Sequence, residues 1–257
     1  MKQRKTKKNK KKSYKKKKII KGGNIKYSAV IVEPREHKAL PFVLNNILEN
    51  LSDEWNLIIM HGNLNKEYID NIIENKLNRY KNRIKCISIK KDGLTKEEYN
   101  QFIVSDEYFN AIPTDTFLRV ETDSMINPKN KNRINDFLKY DLVGAPWDFP
   151  HDRNHILNGI VGNGGFTLRK KSKMLEILAA CKYPYTDKSF ASENTFISNC
   201  NSITVNKPTF EEAKKFSSET AIDSESFGLH KPWVHHKNID ELDALFPGVK
   251  ELYNLQN

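Results

Sequence analysis

The chain has 257 residues, and its 43 lysines and arginines against 32 aspartates and glutamates give a formal net charge of +11. That charge is typical of nucleic-acid-binding proteins, but 14 of the basic side chains lie in residues 1–26, which contain no acid. The rest of the chain carries 29 basic and 32 acidic side chains, which excludes a basic nucleic-acid-binding core.

Residues 1–26 form a lysine-rich segment that has almost nothing apolar to bury. We therefore expect a disordered tail, able to contact nucleic acid or an anionic membrane electrostatically, followed by a single domain over residues 27–257. No signal peptide and no run of about 18 apolar residues is found, so we expect no transmembrane segment. The expected location is intracellular and cytoplasmic, not secreted, with nuclear targeting by the tail left open.

Three cysteines, Cys86, Cys181 and Cys200, are odd in number and show no C-x-x-C spacing. In a chain without a signal peptide this pattern indicates a reducing compartment. We therefore expect neither a disulfide framework nor a zinc ribbon.

The first half of the chain alternates between strand and helix patterns. Short β-branched runs indicate strands, and apolar residues at spacings of three and four indicate helices. The predicted elements are strand 27–32, helix 39–51, strand 55–60, helix 67–80, strand 84–89, helix 95–109 and strand 116–120. This order predicts an α/β fold with a Rossmann-like, mostly parallel sheet flanked by helices.

Beyond residue 120 the alternation is less regular. Residues 142–147 are typical of a short strand and turn, and residues 159–169 are glycine-rich and then β-like. Helices are predicted over residues 172–181 and 239–245, and a further one is possible over residues 192–198. No internal repeat of solenoid length is found.

Two acids, Glu121 and Asp123, directly follow the fourth predicted strand. Ligands of open α/β sheets bind beyond the carboxyl ends of the strands, and carboxylates suit Mg²⁺ or Mn²⁺. Both residues are therefore candidate metal ligands. An ordinary acidic connection between strand and loop is the alternative.

Two further segments carry candidate site residues. Gly164 and Gly165 would allow the backbone to approach a ligand closely, or they form a simple tight turn. Glu193 follows Ser192 before an apolar run. It is either a general base that deprotonates an acceptor hydroxyl or a first-turn acid in a helix capped by Ser192.

A third cluster lies near the C-terminus. His230 could complete the coordination of a metal, Lys231 could hold a diphosphate, and Trp233 could stack on a base or sugar. A zinc site formed by His230, His235 and His236 is an alternative that lacks cysteine and a defined spacing.

Six segments are recognisable together in the second part of the chain. They are ETDS (121–124), VGAPW (143–147), GNGGFTLR (162–169), SENTFIS (192–198), FSSET (216–220) and FGLHKPW (227–233). In order and spacing they resemble the domain of unknown function 5672, a family of microbes and large DNA viruses similar to GT-A-fold nucleotide-sugar glycosyltransferases. The resemblance covers roughly residues 28–233.

The resemblance implies a GT-A-like domain that transfers a sugar from a UDP- or GDP-linked donor to a hydroxyl acceptor on a glycan, protein or lipid, with Mn²⁺ or Mg²⁺. It makes Asp123 the principal metal ligand and Glu121 its partner, although the wider fold usually has Asp at the first position. It leaves Glu193 as the catalytic base, because Asn194 stands where related sequences often have an acid.

The chemistry of glycosyl transfer adds further candidate residues. Arg35, just after the first strand, is expected to contact the nucleotide, with His230 and Lys231 on the phosphates. Gly164, Gly165 and Trp147 are expected to shape the acceptor side.

Two other functions remain open at this point. One is a catalytically inactive fold that acts as a nucleic-acid-binding or structural protein through its basic tail. The other is a nucleotidyltransferase, which would use the same acidic residues but release pyrophosphate.

Overall fold

The computed structural model describes residues 24–149, 152, 154, 155, 157–183 and 192–256. The predicted tail therefore lies outside the described residues except for Asn24 to Lys26. Within the described residues no helix is long and apolar enough to cross a bilayer.

The strands are β1 (Tyr27–Val32), β2 (Trp55–His61), β3 (Ile84–Ser88), β4 (Thr116–Val120), β5 (Ser124–Ile126), β6 (Leu142–Gly144), β7 (Phe166–Lys170), β8 (Ser217–Ser218) and β9 (Gly228–His230). The helices are α1 (Leu40–Asn50), α2 (Lys66–Asn75), α3 (Lys96–Phe102), α4 (Asp106–Ala111), α5 (Ile134–Phe137), α6 (Lys171–Cys181), α7 (Glu193–Asn199), α8 (Phe210–Phe216), α9 (Ile239–Leu245) and α10 (Val249–Asn254). Short 3-10 helices span Asn78–Arg83, Pro128–Arg133 and Pro232–Val234.

The main sheet has six strands in the order β3-β2-β1-β4-β7-β6. Strands β1 to β4 are mutually parallel, whereas β7 pairs antiparallel with both β4 and β6. The predicted α/β fold with a Rossmann-like, mostly parallel sheet flanked by helices is confirmed.

Alternate residues of the central strands enter two apolar layers. In β1, Ala29 and Ile31 face a layer that includes α1, α2, α9 and α10, and Val30 and Val32 face a layer that includes α3, α4, α6 and α7. Successive side chains of a strand point to opposite faces of the sheet. A strand with an apolar layer on both faces therefore needs an apolar side chain at every position. This explains the continuous apolar run of β1.

A second sheet joins the middle of the chain to its C-terminal part. Strand β5 pairs antiparallel with β9, placing Ser124 opposite His230, and β8 pairs parallel with β9. The buried amide of Asn46 on α1 accepts from Ile126 N at 2.7 Å and donates to Ile126 O at 3.0 Å. These bonds fix β5 on α1, and therefore fix the loop that precedes it.

Two predicted helices are shorter in the structure. The helix predicted over residues 95–109 is divided into α3 and α4, because Ser105 caps α4 by accepting a hydrogen bond from Tyr108 N at 3.2 Å. The helix predicted over residues 67–80 ends at Asn75, and the 3-10 helix Asn78–Arg83 follows.

The expectation of no disulfide was wrong. Cys181, the last residue of α6, is bonded to Cys200, which follows α7, with 6.0 Å between their Cα atoms. The bond joins the ends of two helices that pack on the same face of the main sheet. Sequence spacing could not show this pairing, because it depends on where the two helices end in space.

Reducing the disulfide should lower the free energy of unfolding by about 3 kcal/mol, the loop-closure value for a chain separation of this size. The measurement is guanidinium denaturation with and without dithiothreitol, on the wild type and on Cys181→Ser. We expect dithiothreitol to lower the wild-type midpoint and leave that of Cys181→Ser unchanged. Thiol titration giving three reactive cysteines in the denatured, unreduced protein would contradict the bond.

Candidate metal centre and cavity

A cavity of about 490 Å³ lies beyond the carboxyl ends of β1 and β4. Its wall includes Glu33 and Arg35 after β1, and Glu121 and Asp123 after β4. Residues of α3, α7, the 163–165 loop and β9 complete it. This is the edge of the sheet where an open α/β fold binds ligands.

Three candidate ligands, Glu121, Asp123 and His230, meet in this cavity. One ligand atom from each lies within 4.8 Å of the other two. His230 Nε2 is 3.3 Å from Asp123 Oδ1 and 3.6 Å from Glu121 Oε2. The β5–β9 pairing produces this meeting, because it sets His230 beside the residue that follows Asp123.

The charged groups of this cluster shift one another's pKa values. Burial alone would lower the pKa of His230, but the charges of Asp123 and Glu219 outweigh it and raise that pKa well above its ordinary value. Burial raises the pKa of Asp123, but the charge of His230 outweighs it, so the pKa is lowered. Without a cation, the histidine therefore supplies the positive charge between the carboxylates.

The donor atoms fit a divalent cation. Asp123 Oδ1 and His230 Nε2 are both buried and have no hydrogen-bond partner in the described structure. A buried polar atom without a partner is unfavourable, and an ion bound to both would satisfy them. Carboxylate oxygens suit Mn²⁺ or Mg²⁺, and a neutral imidazole is a common metal ligand.

Arg119 of β4 holds the other oxygen of Glu121. Its Nη2 donates to Glu121 Oε1 at 2.5 Å, and Tyr99 donates to the same oxygen at 3.2 Å. Burial would raise the pKa of Glu121, but the Arg119 charge, together with His230 and Lys231, lowers it. Glu121 is thus kept ionised, with one oxygen directed to Arg119 and the other to His230.

Glu193, the predicted catalytic base, is 1% exposed. Its Oε2 accepts a hydrogen bond from Arg119 Nη1 at 2.9 Å, and its Oε1 accepts one from Arg169 Nη1. With both oxygens occupied by guanidinium groups, the geometry favours a structural ion pair over proton transfer. The catalytic role of Glu193 stays a prediction.

The glycine-rich loop packs directly on the charged side chains. A Cβ atom added to Gly165 would overlap the His230 ring, and one added to Gly164 would lie 2.8 Å from Arg119 Nη1 and 2.9 Å from Asn194 Cβ. The absence of a side chain at both positions therefore allows the loop to pack on these protein side chains, while the predicted close approach of its backbone to a ligand stays a prediction.

Replacing Gly165 with alanine should displace the His230 ring. Because His230 is 3% exposed and enclosed by carboxylates, we expect a loss of about 1–3 kcal/mol in unfolding free energy and weaker Mn²⁺ binding. Thermal unfolding and Mn²⁺ titration measure the two effects. Gly93→Ala is the control, since no heavy atom lies within 4 Å of its added Cβ. Equal behaviour of the two variants would contradict the packing argument.

Arg35 and Lys231 also lie at the cavity. The Arg35 guanidinium makes two hydrogen bonds of 2.8 Å to Glu33, while its side chain remains 65% exposed. Lys231 Nζ is 3.7 Å from Asp123 Oδ2. Both cations line the cavity, and their predicted contacts with nucleotide and diphosphate stay predictions.

Other predicted residues lie away from the cavity. Among the described residues the lining includes neither Trp147, which is 5% exposed, nor Trp233, which packs edge-on against Tyr253. The alternative zinc site is not assembled either, because His236 bonds to Thr220 O and His235 lies against Phe149.

Four residues of this site were not predicted from the sequence: Tyr99, Arg119, Arg169 and Glu219. A signal existed for the two arginines, since each interrupts an apolar strand pattern and a buried guanidinium needs a buried acid. Tyr99 carries no such signal, and Glu219 lies in the recognisable segment FSSET (216–220), which gave it no role.

Comparison with solved structures shows the class of fold. The galactosyltransferase LgtC, in complex with donor and acceptor sugar analogues, is 13% identical with a TM-score of 0.55, covering 89% of this chain and 95% of LgtC. The bifunctional glycosyltransferase WbbM is 10% identical with a TM-score of 0.53, covering 91% of this chain and 52% of WbbM. Apo GlyE of Streptococcus pneumoniae is 9% identical with a TM-score of 0.51, covering 87% of this chain and 51% of GlyE. The fold is that of GT-A glycosyltransferases.

The sequence itself defines the family. The family model for the Protein of unknown function (DUF5672) matches residues 83–230, which is more than half of the chain. The chain therefore belongs to this family, as the resemblance indicated. A search of curated proteins gives no match.

Proposed function

We propose that this protein is a metal-dependent glycosyltransferase that moves a sugar from a nucleotide donor to a hydroxyl acceptor. The observation that carries the proposal is the meeting of Glu121, Asp123 and His230, with Lys231 beside them, in a cavity at the ligand-binding edge of the sheet. The GT-A fold supports it. Residues 24–26, the end of the predicted tail, directly precede the first strand of this fold. We propose residues 27–257 as its domain.

Glycosyl transfer needs positive charge on the departing diphosphate. A Mn²⁺ or Mg²⁺ ion held by Asp123, Glu121 and His230 would supply most of it. Lys231 is close enough to Asp123 to add its own charge to the same phosphates. Arg35 also lines the cavity with a largely exposed side chain, and we assign it to the nucleotide of a UDP- or GDP-linked donor.

The test uses the full chain with Mn²⁺ and a panel of UDP- and GDP-sugars. We expect donor binding by calorimetry and release of UDP or GDP that EDTA abolishes. A protein that binds Mn²⁺ but neither binds nor hydrolyses any donor would overturn the proposal. Release of pyrophosphate from a nucleoside triphosphate would instead indicate a nucleotidyltransferase.

The acceptor is proposed only as a hydroxyl of a glycan, protein or lipid. The intracellular location and the role of the lysine-rich tail remain predictions. Deleting residues 1–26 separates the tail from the chemistry: sugar transfer in solution should persist, and any binding to RNA, DNA or anionic vesicles should be lost. Loss of nucleic-acid binding with no transfer by either form would favour the inactive binding protein.

A further inference from the structure

Glu219 lies behind the candidate metal centre and has no role in the chemistry described so far. It follows β8, is 4% exposed and contributes to the cavity wall. Its Oε1 is 3.1 Å from His230 Nδ1, on the opposite side of the imidazole from Asp123 and Glu121. Its Oε2 is buried without a hydrogen-bond partner in the described structure.

The position of Glu219 is fixed by the sheet that carries His230. Ser218 pairs with Leu229 in the parallel β8–β9 ladder, so Glu219 and His230 extend side by side from neighbouring strands. The next residue, Thr220, accepts from Asp148 N at 2.8 Å and donates to Pro146 O at 3.2 Å through its hydroxyl. Strand pairing before Glu219 and side-chain bonds after it therefore restrict where its carboxylate can lie.

An imidazole that binds a metal through Nε2 must carry its proton on Nδ1. A carboxylate at Nδ1 accepts that proton in a hydrogen bond, which fixes the tautomer and the ring orientation and makes the ligand nitrogen more basic. Glu219 Oε1 occupies this position, and the candidate ligands Asp123 and Glu121 face Nε2. The two ring nitrogens therefore have different partners.

We propose that Glu219 is a positioning residue that holds His230 in the Nδ1-protonated form and directs Nε2 toward a divalent cation. The inference rests on the metal site of the proposed function and extends it to a residue outside the ligand set. Glu219 acts through His230 alone.

The charge balance supports the same conclusion. Three carboxylates, Glu121, Asp123 and Glu219, surround His230, and the guanidinium that bonds Glu121 is shared with Glu193. Asp123 Oδ1 and Glu219 Oε2 are both left buried without a hydrogen-bond donor. A metal-bound imidazole must be neutral. The four carboxylates Glu121, Asp123, Glu193 and Glu219 then face three cations, Arg119, Arg169 and Lys231, and a bound divalent cation would offset the remaining negative charge.

The test measures Mn²⁺ binding directly, with no sugar present. We expect Glu219→Gln to weaken Mn²⁺ binding by about 10- to 100-fold, the usual effect of losing the carboxylate behind a metal-bound histidine. Titration followed by electron paramagnetic resonance gives the affinity. Glu225→Gln is the matched control, because this nearby glutamate is 58% exposed and pairs with Arg133 and Lys215 at the surface. The control should bind Mn²⁺ as the wild type does.

A second measurement separates positioning from mere packing. Nitrogen-15 shifts of the His230 ring in Mg²⁺-loaded wild type should show the proton on Nδ1, and Glu219→Asp, which keeps the charge, should retain more Mn²⁺ affinity than Glu219→Gln. Unchanged Mn²⁺ affinity in Glu219→Gln would overturn this inference while leaving the metal site intact. A proton on Nε2 in the loaded wild type would overturn the inference and also remove His230 from the ligand set. A wild type that binds no divalent cation would overturn both the inference and the metal-dependent function.

Should Glu219→Gln fail to fold, the wild-type ring shifts and the Glu219→Asp titration decide the question. A merely structural Glu219 would lower the melting temperature of these variants without changing Mn²⁺ affinity in the protein that remains folded. That result also counts against the inference.

Discussion

Asp123→Ala is expected to reduce Mn²⁺ affinity by more than about 100-fold and to abolish metal-dependent sugar transfer. Changes behind a ligand alone cost about 10- to 100-fold, so the loss of a ligand itself should cost more. Asp123 contributes the buried Oδ1 that faces His230 Nε2 at 3.3 Å, and its Oδ2 faces Lys231. One substitution therefore removes a candidate ligand and the counter-charge of two cations.

The measurement is Mn²⁺ titration, followed by donor hydrolysis at saturating Mn²⁺. Asp136→Ala serves as control, since this aspartate of α5 is 64% exposed and only loosely paired with Arg133. Circular dichroism confirms that both variants are folded. An Asp123→Ala protein that binds Mn²⁺ and releases nucleotide at the wild-type rate would show that the acidic residues after β4 hold no cation.

Glu193→Gln should cause the largest loss of stability. Its carboxylate neutralises two buried guanidinium groups, and removing one partner of a buried ion pair costs about 3–5 kcal/mol. For a domain of this size that loss corresponds to a fall of roughly 6–20 °C in melting temperature. Because Arg119 also bonds Glu121, we expect weaker Mn²⁺ binding as a secondary effect.

The same variant distinguishes the two roles considered for Glu193. A general base replaced by glutamine would leave the melting temperature unchanged and lower only the turnover number. Differential scanning calorimetry and donor hydrolysis measure these two quantities. Glu176→Gln on α6 is the control, because this glutamate is 50% exposed and pairs with Lys173 one turn away. Unchanged stability with lost turnover would restore Glu193 as the base.

Much of the fold could be predicted because its signals are local. The apolar runs of β1, β2 and β4 give the parallel core, and the acids after β4 lie at the edge where such sheets bind ligands. Glu121, Asp123 and His230 were candidates on chemical grounds and the structure brings them together. The three residues meet because β5 pairs with β9, which is distant in sequence. Each of them could nevertheless be identified as a candidate ligand from its own local sequence.

The ion-pair chain behind the cluster could not be predicted in the same way. Arg119 and Arg169 lie on β4 and β7, and they reach one carboxylate only because β7 enters the sheet antiparallel beside β4. The sequence pattern at residues 159–169 predicts a strand, but it does not show whether that strand runs parallel or antiparallel to β4. Without that direction, Glu193 was assigned from the family resemblance and from its place before an apolar run instead of from its partners.

Glu219 shows a different limit. Its neighbours Ser217 and Ser218 form a strand of two residues, too short for any periodic pattern. The residue gains its position from β9, which lies further along the chain and carries His230. The position of this carboxylate beside His230 can therefore be recognised only from the assembled second sheet.

The pairing of β5 with β9 also sets an order of events as the chain leaves the ribosome. Strands β1 to β4 contact one another directly, so their parallel core can be drawn together before the C-terminal part has been synthesised. Asp123 meets His230 and Lys231 only after β9 has emerged and closed a long loop onto β5, a slow step for a non-local contact. A growing chain therefore assembles its candidate cation site late, and a metal ion could contact Glu121, Asp123 and His230 together only after β9 has been made.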